Sequence, residues 1–314
     1  MQARYRTAAL VLAIALLAAL PPLAFALDEP FYIDLFRRFM IFAIAAVSLN
    51  LILGYGGMVS FGHAAYLGIG SYAVGILAYY GIENGYLQWA VAISASALVA
   101  LAIGAVSIRT SGIYFIMITL AFTQMLYYLG ISIEEFGGDD GMRLAARSQF
   151  GDWLDLSDGT TFYYLVLAIL ALSMYIVHRI VNSRFGMVIR AAKSNEVRTR
   201  AIGFSPYPYK LAAFVISGAM CGVAGALLVN NTAYLTPEFM HWTRSGELMF
   251  MVILGGIGTT AGPLVGTIAL LLLEDLLSAW TTRWQLYLGI LLVLVVLFAK
   301  RGLVGFLPGG KRDG

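Results

Sequence analysis

Ten apolar segments, separated by short polar stretches, occupy most of this chain and constrain its fold more than any other feature. Of its 314 residues, 60% are apolar and only 12% are charged, and the mean hydropathy is +0.83. Such a chain has too little polar surface to cover a soluble globule. The sequence therefore predicts an all-α integral membrane protein with about ten transmembrane segments interrupted by glycine-rich breaks. The predicted segments are residues 8–27, 39–53, 58–80, 87–108, 113–131, 162–180, 211–229, 248–254, 263–277 and 286–299.

Lys and Arg are unevenly distributed between the apolar segments, and this asymmetry predicts the orientation. Residues 178–210 carry seven of the twenty Lys and Arg and the single acid Glu196, whereas residues 131–161 carry seven acids against Arg143 and Arg147. By the positive-inside rule, the basic loop faces the cytoplasm and the acidic loop faces the other side. Ten crossings would then place both termini in the cytoplasm. The chain is interpreted as one membrane domain, residues 1–314, with a basic cytoplasmic loop at 181–209 and an acidic loop at 132–161.

Two of the predicted segments are ambiguous. Residues 248–277 number thirty, about 45 Å of helix, whereas two full crossings need roughly forty residues. At least one helix there is expected to be short and to end at a glycine-rich break. The first segment follows Arg4 and Arg6 and ends in Ala-Phe-Ala at 24–26, which resembles a secretory signal with its cleavage site. Its apolar run of about twenty residues favours a retained span, and cleavage would leave the downstream orientation unchanged.

Composition and motifs argue against several classes of function. Few polar stretches exceed about thirty residues, which leaves no room for a soluble nucleotide-binding domain, and the basic residues lie beside span ends instead of forming a nucleic-acid surface. Cys221 is the single cysteine, so it forms no internal disulfide or metal cluster. Residues 305–311 match the spacing of a phosphate-binding loop, but Arg312 replaces the Ser or Thr and no strand precedes it. With no zinc-protease motif or nucleophile elbow either, the chain is predicted to be no enzyme and to hold no cofactor or metal.

Two glycine-rich breaks interrupt the apolar segments, the first at residues 54–63 and the second at residues 255–263. Each is interpreted either as a tight turn between helices or as a discontinuous helix whose exposed backbone lines a substrate path. Polar side chains inside the membrane should face protein or water. His63 is therefore expected either to make a structural hydrogen bond or to contact substrate. Glycines spaced by four at 218–222 and 258–266 predict close helix packing. The candidate path residues are Asn50, Gly56, Gly57, Ser60, Gly62, His63, Gly255, Gly256, Gly258 and Gly262.

Three stretches spread along the chain carry a recognisable pattern. They are residues 49–66 (LNLILGYGGMVSFGHAAY), residues 195–214, which begin Asn-Glu-Val-Arg and end Tyr-Lys-Leu-Ala-Ala-Phe, and residues 255–266, which begin Gly-Gly-Ile-Gly-Thr. Together they resemble the signatures of the branched-chain amino-acid permeases of ABC importers, and the acidic loop resembles that of the longer, M-type subunit. Residues 137–142 read Gly-Gly-Asp-Asp-Gly-Met, where the family often has a small or amide pair and then Gly-Leu. That departure leaves the exact substrate open.

The resemblance implies a permease of the ABC importer type in a bacterial inner membrane, with the acidic loop in the periplasm. The implied partners are a second permease subunit, two cytoplasmic ATPases that bind ATP and Mg, and a periplasmic substrate-binding protein. A short amphipathic helix over residues 192–203 would be the coupling helix that lies in a groove of an ATPase, and the good helix formers there support a helix independently. The implied coupling residues are Lys193, Asn195, Glu196, Arg198, Ala201 and Gly203.

Other functions remain open at the level of the sequence. The same architecture could carry urea, short amides or aromatic acids. A secondary carrier would work alone on ion gradients and would be expected to pair a membrane-embedded acid with its substrate, but candidate buried acids are scarce. An intramembrane enzyme is disfavoured because no catalytic constellation is found.

The predicted orientation can be tested with single cysteines. In a Cys221→Ala background, Ser157→Cys should react with an impermeant thiol reagent from outside intact cells, whereas Ser194→Cys should react only after permeabilisation, because the two positions lie on opposite sides of the membrane. The reverse labelling pattern would contradict the topology.

Overall fold

The chain folds into a bundle of apolar helices, with two further short helices in the basic loop. The computed structural model describes residues 2–26, 28–144, 146–151, 154–298 and 302–306. Within those ranges, each predicted apolar segment overlaps one α-helix, although several helix boundaries differ from those predicted. The helices are α1 (Gln2–Ala26), α2 (Phe31–Asn50), α3 (His63–Tyr79), α4 (Gly85–Ser107), α5 (Ile113–Ser132), α6 (Gly159–Val181), α7 (Arg184–Ser194), α8 (Glu196–Ala201), α9 (Pro206–Thr232), α10 (Trp242–Gly255), α11 (Gly262–Trp280) and α12 (Trp284–Phe298). Strands β1 (Met142–Arg143) and β2 (Tyr234–Leu235) pair antiparallel.

Six helices in the described ranges are long and apolar enough to cross a membrane, namely α2 with its continuation to Tyr55, α4, α5, α6, α9 and α11. The protein is a multi-pass membrane protein, and the count of about ten crossings stays a prediction. Helix α10 has 14 residues, about 21 Å at 1.5 Å per residue, which is less than the ~30 Å hydrocarbon core. The expectation of a short helix before the second break is therefore confirmed. The predicted cytoplasmic C terminus stays a prediction. It falls in a basic tail at residues 307–314, which, like residues 299–301, lies outside the described residues.

Helix α2 begins well before the predicted segment 39–53, because a charged residue near its start is buried. Arg37 is only 4% exposed. Its guanidinium pairs with Asp34 at 2.6 Å, donates to Asn231 Oδ1 at 2.5 Å, and lies 4.7 Å from the centroid of the Phe162 ring. A buried charge is tolerated only when it is paired and hydrogen-bonded in this way. Arg37 thereby ties the start of α2 to the start of α6 and the end of α9.

Hydrogen bonds within the acidic loop at 132–161, and from it to neighbouring segments, hold the loop in place. Gln149 N donates to Glu83 O at 2.8 Å, and β1 pairs with β2 beyond the end of α9. At the end of the loop Asp158 caps α6, because its carboxylate accepts from the Thr161 hydroxyl at 2.6 Å and from the Thr161 amide at 2.9 Å. These hydrogen bonds lower the pKa of Asp158. The cap therefore stabilises the fold above the ordinary carboxyl pKa, and its contribution is lost as the pH falls through the lowered value.

Helix α9 lies at the centre of the bundle and packs against α2, α3 and α4. A Cβ atom built on Gly222 would lie 2.2 Å from Ser96 Oγ of α4, and one built on Gly225 would lie 1.9 Å from Leu67 O of α3. Only glycine permits helices to approach so closely. The close packing predicted from the glycine spacing at 218–222 is therefore confirmed.

The second set of spaced glycines only partly behaves as predicted. A Cβ on Gly255 would lie 1.8 Å from Gly262 O, and one on Gly266 would lie 1.9 Å from Met251 O, so α10 and α11 meet backbone to backbone. Gly258 does not share that helix face. It precedes α11 with a φ of +73°, in the left-handed region, and packs beside Gly54 of the first break.

Two glycines of α10 offer a matched test of this packing. Gly255→Ala should lower stability by about 1–3 kcal/mol, because its methyl group would overlap backbone of α11. Gly246→Ala should be neutral or slightly stabilising, because the nearest atom to its Cβ would be Phe61 Cε1 at 3.9 Å and alanine favours a helix by about 1 kcal/mol. Thermal unfolding of the purified protein measures both, and equal midpoints for the two variants would contradict the packing.

Candidate transport and coupling site

The first glycine-rich break is an irregular segment held by hydroxyl groups from two other helices. Helix α2 continues as a π-helix over Leu51–Tyr55, and α3 begins only at His63, later than the predicted segment start at residue 58. Irregular backbone at membrane depth needs internal hydrogen-bond partners. Ser245 of α10 supplies two, because its Oγ donates to Phe61 O at 2.7 Å and accepts from Ala64 N at 2.9 Å.

Helix α5 provides further partners of this segment. Thr119 Oγ1 accepts from Phe61 N at 3.2 Å, and Thr123 Oγ1 donates to Phe61 O at 3.0 Å. Neither threonine nor Ser245 was singled out from the sequence. Their four-residue spacing places Thr119 and Thr123 on one helix face, but nothing local indicates which distant backbone they contact.

The second break lies directly against the first, joined by one amide side chain. Asn50, at the end of α2, accepts from Gly258 N at 3.0 Å and donates to Thr259 O at 2.9 Å. A Cβ on Gly54 would lie 2.6 Å from Gly258 N, so the two backbones also touch there. The structure thus brings together Asn50, Gly54 and Gly258 from opposite ends of the sequence. Both polar ends of Asn50 are engaged in these bonds.

His63 lies in the core of the bundle, where it is completely buried. Its Nε2 is 2.8 Å from Ser217 Oγ, and that hydroxyl donates to Ser48 O at 2.5 Å. Because Ser217 uses its proton on Ser48, we assign the Nε2 proton to His63, which leaves Nδ1 as an acceptor. Among the described residues, neither His63 Nδ1 nor the nearby Tyr66 hydroxyl has a hydrogen-bond partner. The structural hydrogen bond expected for His63 is present, and its contact with substrate stays a prediction.

The remaining path candidates differ in accessibility. Gly57 is exposed at the surface of the first break, whereas Ser60 is buried and its hydroxyl accepts from Gly62 N at 3.0 Å. Gly256 adopts a φ of +124°, which side chains rarely tolerate, so it is required by the turn itself. The buried members of the candidate set are Asn50, Gly56, Ser60, Gly62, His63, Gly255, Gly256 and Gly262.

The basic loop contains two helices, so the predicted single helix over residues 192–203 is wrong. Helices α7 and α8 meet at Asn195, whose backbone is extended at φ −160° and ψ 106°. The Asn195 side chain accepts from Arg198 N at 2.8 Å and thereby caps α8. Asparagine is among the strongest N-cap residues, and Glu196 in the first turn favours the same helix start. The region does form helix, as its helix propensity predicts, but the Asn195 cap divides it into α7 and α8.

Glu196 holds α8 against the start of α9. Its carboxylate pairs with Arg200 at 2.6 Å and with Lys210 at 2.5 Å. Partial burial by itself would raise the pKa of Glu196, but the hydrogen bonds and charges of Lys210 and Arg200 outweigh it and lower that pKa. The outer surface of α8 is formed instead by Val197, which is 78% exposed, and by the exposed Arg198. Ala201, Ile202 and Gly203 continue this exposed surface.

Lys193 points away from that surface toward the first break. Its Nζ donates to Gly54 O at 2.5 Å, and its Cγ would lie 2.8 Å from a Cβ built on Gly57. The predicted coupling set is thus divided. Lys193, Asn195 and Glu196 bond within the chain, although Lys193 and Asn195 are also exposed, whereas Arg198, Ala201 and Gly203 lie on the exposed face of α8 and just beyond it.

No cluster of three or more His, Cys, Asp or Glu side chains that could hold a metal ion occurs among the described residues. The polar groups at the two breaks are backbone amides, hydroxyl groups, the Asn50 amide, the Lys193 ammonium and the buried His63 imidazole. Amide and hydroxyl groups can solvate a polar solute without forming a strong ion pair.

Comparison with known proteins places this architecture in a family. Residues 31–299 match the family described as the permease component of branched-chain amino acid transport systems. The chain is 27% identical to the high-affinity branched-chain amino acid permease protein LivM of Escherichia coli, over 87% of this chain and 69% of that protein, and 26% identical to LivM of Salmonella typhimurium over the same shares. It is 25% identical to LivH of Escherichia coli, over 84% of this chain and 91% of that protein. No solved structure matches it. The match across nearly all of its apolar helices shows that the chain belongs to the permease components of branched-chain amino acid transport systems.

Proposed function

We propose that this chain is one of two permease subunits of an ATP-driven importer that moves branched-chain amino acids across the bacterial inner membrane by alternating access. The family and the LivM and LivH relatives support this proposal. The partners would be a second permease, two cytoplasmic ATPases that bind ATP and Mg, and a periplasmic binding protein. Catalysis of ATP hydrolysis belongs to the ATPases, and both termini of this chain lie in the cytoplasm.

One continuous set of contacts from the basic loop to both glycine-rich breaks carries the proposal. The exposed apolar side chains Val197 and Ile202 give α8 a surface on which an ATPase can dock. Lys193 of the adjoining α7 bonds to Gly54 in the first break, and Gly54 touches Gly258 in the second. A displacement of the loop by the ATPase would therefore reach the first break through the Lys193 side chain, and the second break through the backbone contact between Gly54 and Gly258.

The buried groups suit a zwitterionic solute. Among the described residues, no Asp or Glu falls in the buried class, and Glu274 and Asp275 lie 4.0 Å from Arg38. A secondary carrier that pairs a buried acid with its substrate is therefore disfavoured. Hydroxyl groups, Asn50 and the backbone of the breaks can solvate a carboxylate and an ammonium group only weakly, which permits release as well as entry. Affinity would reside mainly in the binding protein.

Uptake by reconstituted vesicles tests the function. The chain, assembled with the proposed second permease and ATPases, should accumulate labelled leucine, isoleucine or valine when binding protein is outside and ATP is inside. Urea, short amides and aromatic acids should compete weakly. Accumulation of urea or phenylalanine in preference to leucine, isoleucine and valine would show that the proposed substrate is wrong, but it would leave the proposed transport mechanism in place. Uptake by the chain alone, driven by an ion gradient, would contradict the proposal.

Lys193 offers a direct test of the coupling route. Lys193→Met should reduce uptake at least about tenfold while ATP hydrolysis continues, because a hydrogen bond from a charged donor contributes about 1.5–3 kcal/mol and here joins the loop to the break. Arg184→Met, which removes one charge from an exposed position on the same helix, is the matched control and should keep uptake. The ratio of substrate moved to ATP hydrolysed measures both variants, and an unchanged ratio in Lys193→Met would remove Lys193 from the mechanism.

A further inference from the structure

A groove of about 410 Å³ lies between the turn that joins α4 to α5 and the start of α8 and α9. The turn contributes Arg109, Thr110 and Ser111, and the opposite wall contributes Arg200 and Lys210. Neither the transport route nor the exposed face of α8 uses Arg109. The groove shares Val197 with that exposed face but extends beyond it to the turn between α4 and α5, on the side that the positive-inside rule places in the cytoplasm.

The groove carries a net positive charge. Of the side chains that line it, Arg109, Arg200 and Lys210 are cationic and Glu196 is the one carboxylate. Glu196 pairs with both Arg200 and Lys210 and holds those two side chains in place on one wall. The three cations and one carboxylate give the groove a net charge of +2. Ser111 adds a hydroxyl donor on the other wall. This combination suits a phosphate group, which accepts hydrogen bonds and charge from several donors at once.

Exposed apolar side chains lie close in sequence to the groove residues, where α4 ends and α5 begins. Val106 is 52% exposed, Ile113 is 68% exposed and Tyr114 is 74% exposed. They lie within a few residues of Arg109 and Ser111 on helices long and apolar enough to cross the membrane. Tyrosine is enriched at membrane interfaces because its ring is apolar and its hydroxyl is polar. A cationic groove that opens beside exposed apolar helix surface matches a molecule with an anionic head and hydrocarbon tails.

We propose that this groove binds the phosphate headgroup of an anionic glycerophospholipid of the cytoplasmic leaflet, with its acyl chains along the exposed sides of α4 and α5. Basic pockets between transmembrane helices on the cytoplasmic side recognise such headgroups, and each Lys or Arg near the surface strengthens the attraction. The bound lipid would rest against Arg200 and Lys210, the two residues that anchor Glu196 of α8. It would therefore stabilise the position of the basic loop relative to α4 and α5.

Native mass spectrometry of the full-length protein tests the proposal. The protein, purified with its accompanying subunits, is released from micelles that contain equal amounts of phosphatidylglycerol and phosphatidylethanolamine. Wild type should retain phosphatidylglycerol preferentially. Arg109→Gln should bind it about fivefold more weakly, the effect expected for one basic residue near the surface. Arg109→Lys should restore most of the binding, which shows that the fold is intact. Arg179→Gln, which removes an exposed charge on the same predicted face outside the groove, is the matched control.

Several outcomes would overturn the proposal. Equal retention of the two lipids, or equal binding by Arg109→Gln and Arg179→Gln, would show that the groove does not select the headgroup. Displacement of phosphatidylglycerol by millimolar inorganic phosphate would assign the groove to a soluble anion. Loss of the lipid when the partner subunits assemble would assign it to a protein interface.

Discussion

The hydrogen bonds from Asn50 to Gly258 and Thr259 hold the two glycine-rich breaks against each other, and much of the structure depends on this contact. A helix interrupted inside a membrane exposes amide and carbonyl groups that lipid cannot satisfy. In this chain the partners come from within the bundle, from Asn50 for the second break and from hydroxyl groups of α5 and α10 for the first. These hydrogen bonds let the breaks remain irregular inside the bundle, and irregular backbone is what the proposed solute path requires.

Glycine makes the same contact possible sterically. A side chain on Gly54 would strike Gly258, and one on Gly255 would strike Gly262, so the breaks and the helices that flank them meet at backbone distance. Close contact of this kind transmits displacement, because packed backbones cannot slide past one another without breaking hydrogen bonds. Lys193 extends the contact to the basic loop through Gly54 O. The loop that would receive force from an ATPase is thus joined to the segment that would open or close the path.

The sequence alone predicts those parts of this arrangement that depend on local composition. Each apolar segment became a helix, the short helix before the second break follows from the length of the interval, and the packing at Gly218 and Gly222 follows from their spacing. Features set by distant partners, and one set by a local cap, do not follow from composition. The charge of Arg37 lowers the local hydropathy, so the predicted segment begins only at residue 39. In the structure, Asn231 and Phe162 satisfy its guanidinium inside the bundle. Asn195 divided the predicted coupling helix because a capping side chain outweighs modest helix propensity. Lys193 was assigned to the docking surface, but its amine reaches a carbonyl group far away in sequence.

The central claim is that the basic loop and the first glycine-rich break move as one body, and a disulfide between them tests it most directly. A Cβ built on Gly57 would lie 3.6 Å from Lys193 Cβ, within the usual ~3.5–4.5 Å for disulfides. The pair Gly57→Cys and Lys193→Cys, in a Cys221→Ala background, removes the lysine link when reduced and replaces it when oxidised. Uptake by reconstituted vesicles should be low in the reduced protein and should recover on oxidation while ATP hydrolysis continues. Uptake that is abolished by oxidation would show that the loop and the break must move apart during transport, and would contradict the account.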